Sequence, residues 1–193
     1  PILETFLSVL YIETPLIEFS SGYKKEYSIL DHPKSLGLDL KLEVPISWLG
    51  REGKRPHIVQ QWTNQNGNGL RIINIGVFET NGKVNQEDLD QMHSEKSSLI
   101  QVLPKNASLL SHYHSEMETF PANGYEYILE IKRGKNKMES YMMTHNIYVD
   151  NKMFVLNCMV SSTENKKILE EANTVRPLCD QVYNSIVIMD RWQ

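Results

Sequence analysis

GYEYILEIKRGKNKMESYMMTHNIYVDNKMFVLNCMV, residues 124–160, reads as three consecutive strands with only a GKN turn and an Asp150-Asn151 turn between them. The segments are rich in Tyr, Ile, Val, Thr and Met, and such runs joined by short turns make an antiparallel meander. Asp and Asn both tolerate the left-handed backbone that a type I′ hairpin requires, so Asp150 and Asn151 are expected as its central pair. Val149 then faces Lys152, and side chains alternate outward from that rung. Met143, His145, Ile147 and Val149 fall on one face beside Phe154, Leu156, Cys158 and Val160. Met142, Thr144, Asn146 and Tyr148 share the other with Met153, Val155, Asn157 and Met159. One face is nearly all apolar and the other mixed, as expected of a sheet covered thoroughly on one side and partly on the other.

Working outward, Leu38–Val44 alternates strictly and reads as a half-buried strand, with Leu38, Leu40, Leu42 and Val44 inward. His57–Thr63 and Leu70–Glu79 are two further strands, reversed through the NQNGNG turn at 64–69, and Gly76 marks a bulge or a close approach. From Asn85 the period changes to a helical one. Asn85 suits an N-cap, and Leu89, Met92, Leu99, Ile100 and Leu103 form a stripe that ends at Pro104. Ala107–Thr119 returns to a period of two with Leu109, Tyr113 and Met117 inward, and FPANG (120–124) turns into the meander. Glu164–Asn173 reads as helix, with a break before a second helical piece that Pro177 can open, and IVIMD (186–190) as helix end or edge strand. Residues 1–35 form an arm or short helix ahead of a single domain over 36–193, with Tyr23–Gly37 a polar, turn-rich connector.

The chain has 193 residues, 40% hydrophobic and 23% charged, enough to bury a core without staples. Its formal net charge of −4 argues against a nucleic-acid partner, which needs a clustered basic excess. No apolar run is long enough to cross a membrane as a helix. The chain begins at Pro1 rather than a methionine, from which a processed, exported product with its leader upstream is expected; the alternative is a cytoplasmic protein. Cys158 and Cys179 are compatible either with two buried thiols or with one disulfide, the latter requiring an oxidising compartment.

In this order the chain resembles the PsbP-like superfamily, shared by the extrinsic subunit of photosystem II, a Ran-binding nuclear-import protein and small exported bacterial proteins. The resemblance rests on a strand ending in Pro45-x-x-Trp48, a strand pair, the helix 85–103, the Asn123-Gly124 step into the meander, the YVDNKMFVLNCMVS hairpin, a helix and a closing NSIVI at 184–188. It implies an α+β protein of the α/β/α sandwich type, a central antiparallel sheet of about six to seven strands with helices on both faces. It also implies a non-enzymatic role in binding or assembly.

Three sites are candidates. His112, His114 and Glu116 share one strand face about 7 Å apart by the strand repeat, and two imidazoles with a carboxylate can hold zinc. On a strand whose apolar residues face inward, the same residues also suit a plain solvent face. Trp48 with Arg51, Lys54 and Arg55 forms a candidate loop for a protein partner, Trp48, Trp62 and Trp192 being taken as exposed. Met142, Tyr148, Met153 and Met159 offer an adaptable apolar surface for a small ligand, or core beneath a helix. His145 and Cys158 lie diagonally on one face but point into the core, which favours a satisfied histidine and an inert sulfur over a nucleophile pair. Neither a dinucleotide or phosphate loop nor a hydrolase, metalloprotease or dithiol motif occurs. The expectation is a non-catalytic binding or assembly module.

Overall fold

The computed structural model describes residues 15–66, 69–94, 96–133, 136–162 and 168–189. Along them run α1 (Pro15–Ser20), β1 (Lys24–Ser28), β2 (Leu40–Pro45), β3 (Leu49–Glu52), β4 (Ile58–Asn66) and β5 (Gly69–Glu79). There follow α2 (Gln86–Ser94), α3 (Lys96–Val102), β6 (Ala107–Met117), β7 (Phe120–Arg133), β8 (Asn136–Val149), β9 (Lys152–Ser162), α4 (Ile168–Asn184) and β10 (Val187–Ile188). The main sheet is antiparallel, in the order β3-β4-β5-β9-β8-β7-β6. A smaller sheet, β1-β2-β10, lies beside α4 over its apolar face. The mixed α+β architecture with helices on both sheet faces is the one the sequence implies.

Val149 pairs with Lys152, and the rungs Ile147–Phe154, His145–Leu156 and Met143–Cys158 follow. Positive φ falls on Asp150 alone, at 52°, so the hairpin does not use the two left-handed residues of a type I′ turn. Alternation then sends Tyr141, Met143, Ile147, Phe154, Leu156 and Val160 into one core with Leu40, Leu42 and Val44 of the small sheet and the buried stripe of α4. Cys158 and Cys179 form a disulfide that ties β9 to α4. Ion pairs repeat the tie at the rim of the helix: Arg71 to Glu171 at 2.9 Å, and Arg176 to Glu126 at 2.6 Å.

Several local expectations are corrected. The connector at 23–37 holds an edge strand, β1, which is nearly all exposed and carries no alternation to betray it. β3 likewise replaces part of an expected loop. The turn into the meander is Glu118-Thr119, at φ of 53° and 94°, and Phe120–Gly124 is already strand. The single helix expected over 85–103 is two, α2 and α3, and Ile100 points outward at 56% exposure. α4 runs through Pro177 without a break, its buried Ala172, Val175, Leu178 and Val182 keeping one stripe on the sheet. Asn85 does cap α2, its side chain accepting from the Asp88 N–H while Asp88 accepts from the Asn85 N–H. Gly76 also behaves as read: β4 bulges between Ile58 and Gln60, and a β-carbon at Gly76 would lie 2.7 Å from the His57 carbonyl. The segment before residue 15, Gly134-Lys135, the start of the expected helix at 164–167 and Trp192 lie outside the described residues.

The disulfide closes a span of 21 residues, for which loss of chain entropy in the unfolded state gives about 3 kcal/mol. A Cys158→Ala/Cys179→Ala variant is therefore expected to keep its far-UV spectrum and lose about that much unfolding free energy in urea. An unchanged unfolding midpoint would show that the bridge constrains nothing.

Candidate functional site

Trp48 is not at the surface. It is 1% exposed, because the Glu18 carboxylate of α1 accepts from the N–H and the hydroxyl of Ser47 at 2.7 and 2.6 Å and pins the turn that points the indole inward. Trp62, also 1% exposed, packs edge-on against Tyr27 of β1. Both tryptophans are core, and the partner loop loses its aromatic anchor.

Its cations meet different neighbours. Arg51 leaves β3 on the mixed face, opposite Gln61, and the rungs continue Gln61–Asn74, Asn74–Asn157 and Asn157–Thr144 across β4, β5, β9 and β8. Hydrogen bonds join the inner part of this row, Thr144 to Asn157 at 2.7 Å and Asn157 to Asn74 at 3.2 Å. Over it lies a cavity of about 520 Å³, edged by Arg51, Lys54 and Arg55 and floored in part by Phe78, Met142 and Met159. A second cavity of about 280 Å³ begins at the same Phe78 and continues beneath α2 and α3, between Met92 on α2 and Leu103 just past α3 on one side and Tyr148 and Met153 of the sheet on the other. Both fall in or near the size range of small-molecule pockets. The structure thus brings the basic loop together with Met142 and Met159 around one cavity and places Tyr148 and Met153 in the adjoining one, although the sequence presents loop and face as separate candidates. It adds His57, Gln61, Asn74 and Phe78, for which no local signal existed, and Asn157, which the strand alternation already places on this face.

His112 and His114 remain exposed, as on a solvent face, and both also reach α2. A bulge between Leu109 and Ser111 shifts the register of β6, so Leu109 joins Tyr125 and Tyr127 under the helices while Tyr113 and Met117 face the opposite way. His112 Nδ1 lies 3.0 Å from His93 Nδ1, and His114 Nε2 lies 3.2 Å from the Asp90 carboxylate. Asp90 and His93, three apart on α2, were missed because nothing in the helix pattern connects it to this strand. Glu116 pairs with Pro121, two rungs further along the strand from His114. Among the described residues no group of three or more His, Cys, Asp or Glu is placed to hold a metal ion.

On the apolar face, Tyr113 crosses Gly124 to reach His145, where its hydroxyl meets Nδ1. A β-carbon at Gly124 would collide with the Tyr113 ring, so the glycine is required by the crossing. His145 also stacks on Tyr183, 4.3 Å between centroids. Cys158 sits in the disulfide, so its sulfur is no thiol, and His145 partners two tyrosines instead. Desolvation holds His145 down at about 4, and burial pushes the Tyr113 hydroxyl above the ordinary tyrosine value. His93 is also held at about 4, first by desolvation and then by the neighbouring His114 and His112, with Asp90 opposing.

No family model matches the chain, and no curated protein matches it. Among solved structures it is similar to cyanobacterial PsbP (CyanoP) of Synechocystis sp. PCC 6803, at 14% identity and a TM-score of 0.54, over 86% of this chain and 92% of that one. It also aligns with LpqN of Mycobacterium tuberculosis, a protein involved in cell envelope biogenesis, at 14% identity and a TM-score of 0.46, over 91% and 97%. The first of these likenesses shows a PsbP-like fold.

A neutral histidine buried with a depressed pKa binds fewer protons folded than unfolded, so its contribution is complete above the unfolded value near 6.5 and lost as pH falls toward about 4. For His145 the full span is worth about 3 kcal/mol. Urea unfolding followed from neutral pH to pH 4 is expected to lose stability over that window, and His145→Gln, which keeps an acceptor for Tyr113, to flatten the loss. Parallel curves for the two proteins would refute the assignment.

Proposed function

We propose that the chain is a non-catalytic binding module of an exported bacterial protein, and that it seats a small, partly apolar ligand on the mixed face of the main sheet. The observation that carries the reading is the pair of adjoining cavities over β4, β5, β9 and β8, one roofed by α2 and α3 and the other edged by the basic loop. Its lining supports binding over chemistry. Thioethers, aromatic rings and carboxamides dominate the walls, and no carboxylate lines either cavity. Methionines fit irregular apolar shapes, and the few fixed carboxamides can orient what enters. The Cys158–Cys179 disulfide supports an oxidising compartment. No described helix is long and apolar enough to cross a membrane.

Nile red, an uncharged apolar dye, is the direct probe of this seat. The wild-type protein is expected to bind it saturably at one site, and Met142→Trp, which places an indole in a half-buried position of the groove, to weaken that binding about tenfold or more, the scale of a lost apolar pocket. The absence of saturable binding to the folded wild-type chain, or unchanged binding by Met142→Trp, would overturn the reading.

A further inference from the structure

The groove has two unlike ends. At one, Arg51, Lys54 and Arg55 stand exposed, and among the described residues none of the three side chains has an ion pair or hydrogen bond. Their nearest acidic neighbour in sequence, Glu52, is engaged by Lys34 at 2.8 Å. The same Lys34 ammonium donates to the carbonyls of Gly53 and Ile58 at 2.5 and 3.3 Å, which ties down the loop that carries Lys54 and Arg55. Ile58 N–H closes the loop on the Arg55 carbonyl at 3.1 Å. Three cations are therefore held together without counter-charges in a chain whose net charge is −4. At the other end, beneath α2 and α3, the walls include Met92, Leu103, Met153 and Val155 beside three tyrosines, Thr144 and Asn146, with no cation or carboxylate among the lining residues. Phe78 lines both cavities, so the two adjoin at its side chain.

We infer that the ligand is an anionic amphiphile with a single alkyl tail, its carboxylate or phosphate head at Arg51, Lys54 and Arg55 and its tail running past Phe78 under the two helices. This rests on the groove being a ligand seat and adds the chemical class. Guanidinium groups suit the head because their forked donors match carboxylate and phosphate oxygens, and the lysine adds a point charge. The tail gains by leaving water for an apolar channel already formed.

The test is calorimetric titration of the wild-type chain with dodecyl phosphate, dodecanoate, dodecanol, dodecyltrimethylammonium and inorganic phosphate. Both anionic amphiphiles are expected to bind at one site, about tenfold or more tighter than dodecanol, with the cationic probe weaker still and inorganic phosphate weakest. An Arg51→Gln/Lys54→Gln/Arg55→Gln variant, altered only at exposed positions, is expected to lose the preference for anions while retaining dodecanol binding. Equal affinity for all three head groups, or an anion preference untouched by the triple substitution, would overturn the inference and leave the groove reading standing. Failure of every alkyl probe would bring down both. Sedimentation with phosphatidylglycerol vesicles without binding of the monomeric probes would also overturn it, in favour of a lipid surface.

Discussion

The rung that pairs Val149 with Lys152 governs the molecule, because the side-chain period of a strand is two and a slip of one residue would exchange the faces of the sheet. In the observed register, Met143, Ile147, Phe154 and Leu156 meet α4 and the small sheet, while Thr144, Asn146 and Asn157 lie on the other side. The slipped register would bury those carboxamides and the hydroxyl against α4, where each unsatisfied group costs about 1–3 kcal/mol. It would also carry Cys158 away from Cys179. The hairpin, the disulfide and the placement of α4 are thus one decision, taken at a two-residue turn.

The groove follows from a mismatch of widths. Seven strands at about 4.8 Å spacing make a sheet roughly 29 Å across. On the apolar face α4 is joined by a second sheet, and together they cover the main sheet from β4 to β8. On the mixed face the cover is α2 and α3, of 9 and 7 residues, which pack over β6 and β7. A helix is about 10 Å across, so two short ones cannot roof the whole width. The uncovered strip falls over β5 and β9, and there the sequence supplies Asn74 and Asn157, which tolerate water, beside Met159, which tolerates either environment.

What could be read from the chain was what local pattern encodes. The β8–β9 register, the alternation of Leu40, Leu42 and Val44, the Asn85 cap and the Gly76 irregularity each arise from a few neighbouring residues. The failures share a different cause. β1 and β3 are edge strands with exposed side chains, so they lack the alternation that burial imposes. The bulge at Leu110 is marked by neither glycine nor proline, and it reversed the assignment of Leu109 relative to Tyr113. Trp48 sits in a polar stretch, and its burial is set by Glu18, 29 residues away from Ser47 in sequence. Pro177 would end an isolated helix, but the buried stripe and the bridge at Cys179 hold α4 across it.

The groove shows the same division more sharply. Arg51, Lys54 and Arg55 are legible as a basic loop, and Met142, Tyr148, Met153 and Met159 as one sheet face, yet no local rule joins them. Their meeting depends on β9 inserting between β5 and β8, so that the β3–β5 unit carrying the cations is stitched to the meander carrying the methionines. Sequence order places β5 and β9 far apart, with α2, α3 and three strands between them. The residues that complete the seat, Asn74 on β5 and Asn157 on β9, touch each other only across that junction. A site built at a long-range strand pairing has its parts written in the sequence but not its assembly. The cations become informative only once the structure shows an apolar path opening in front of them.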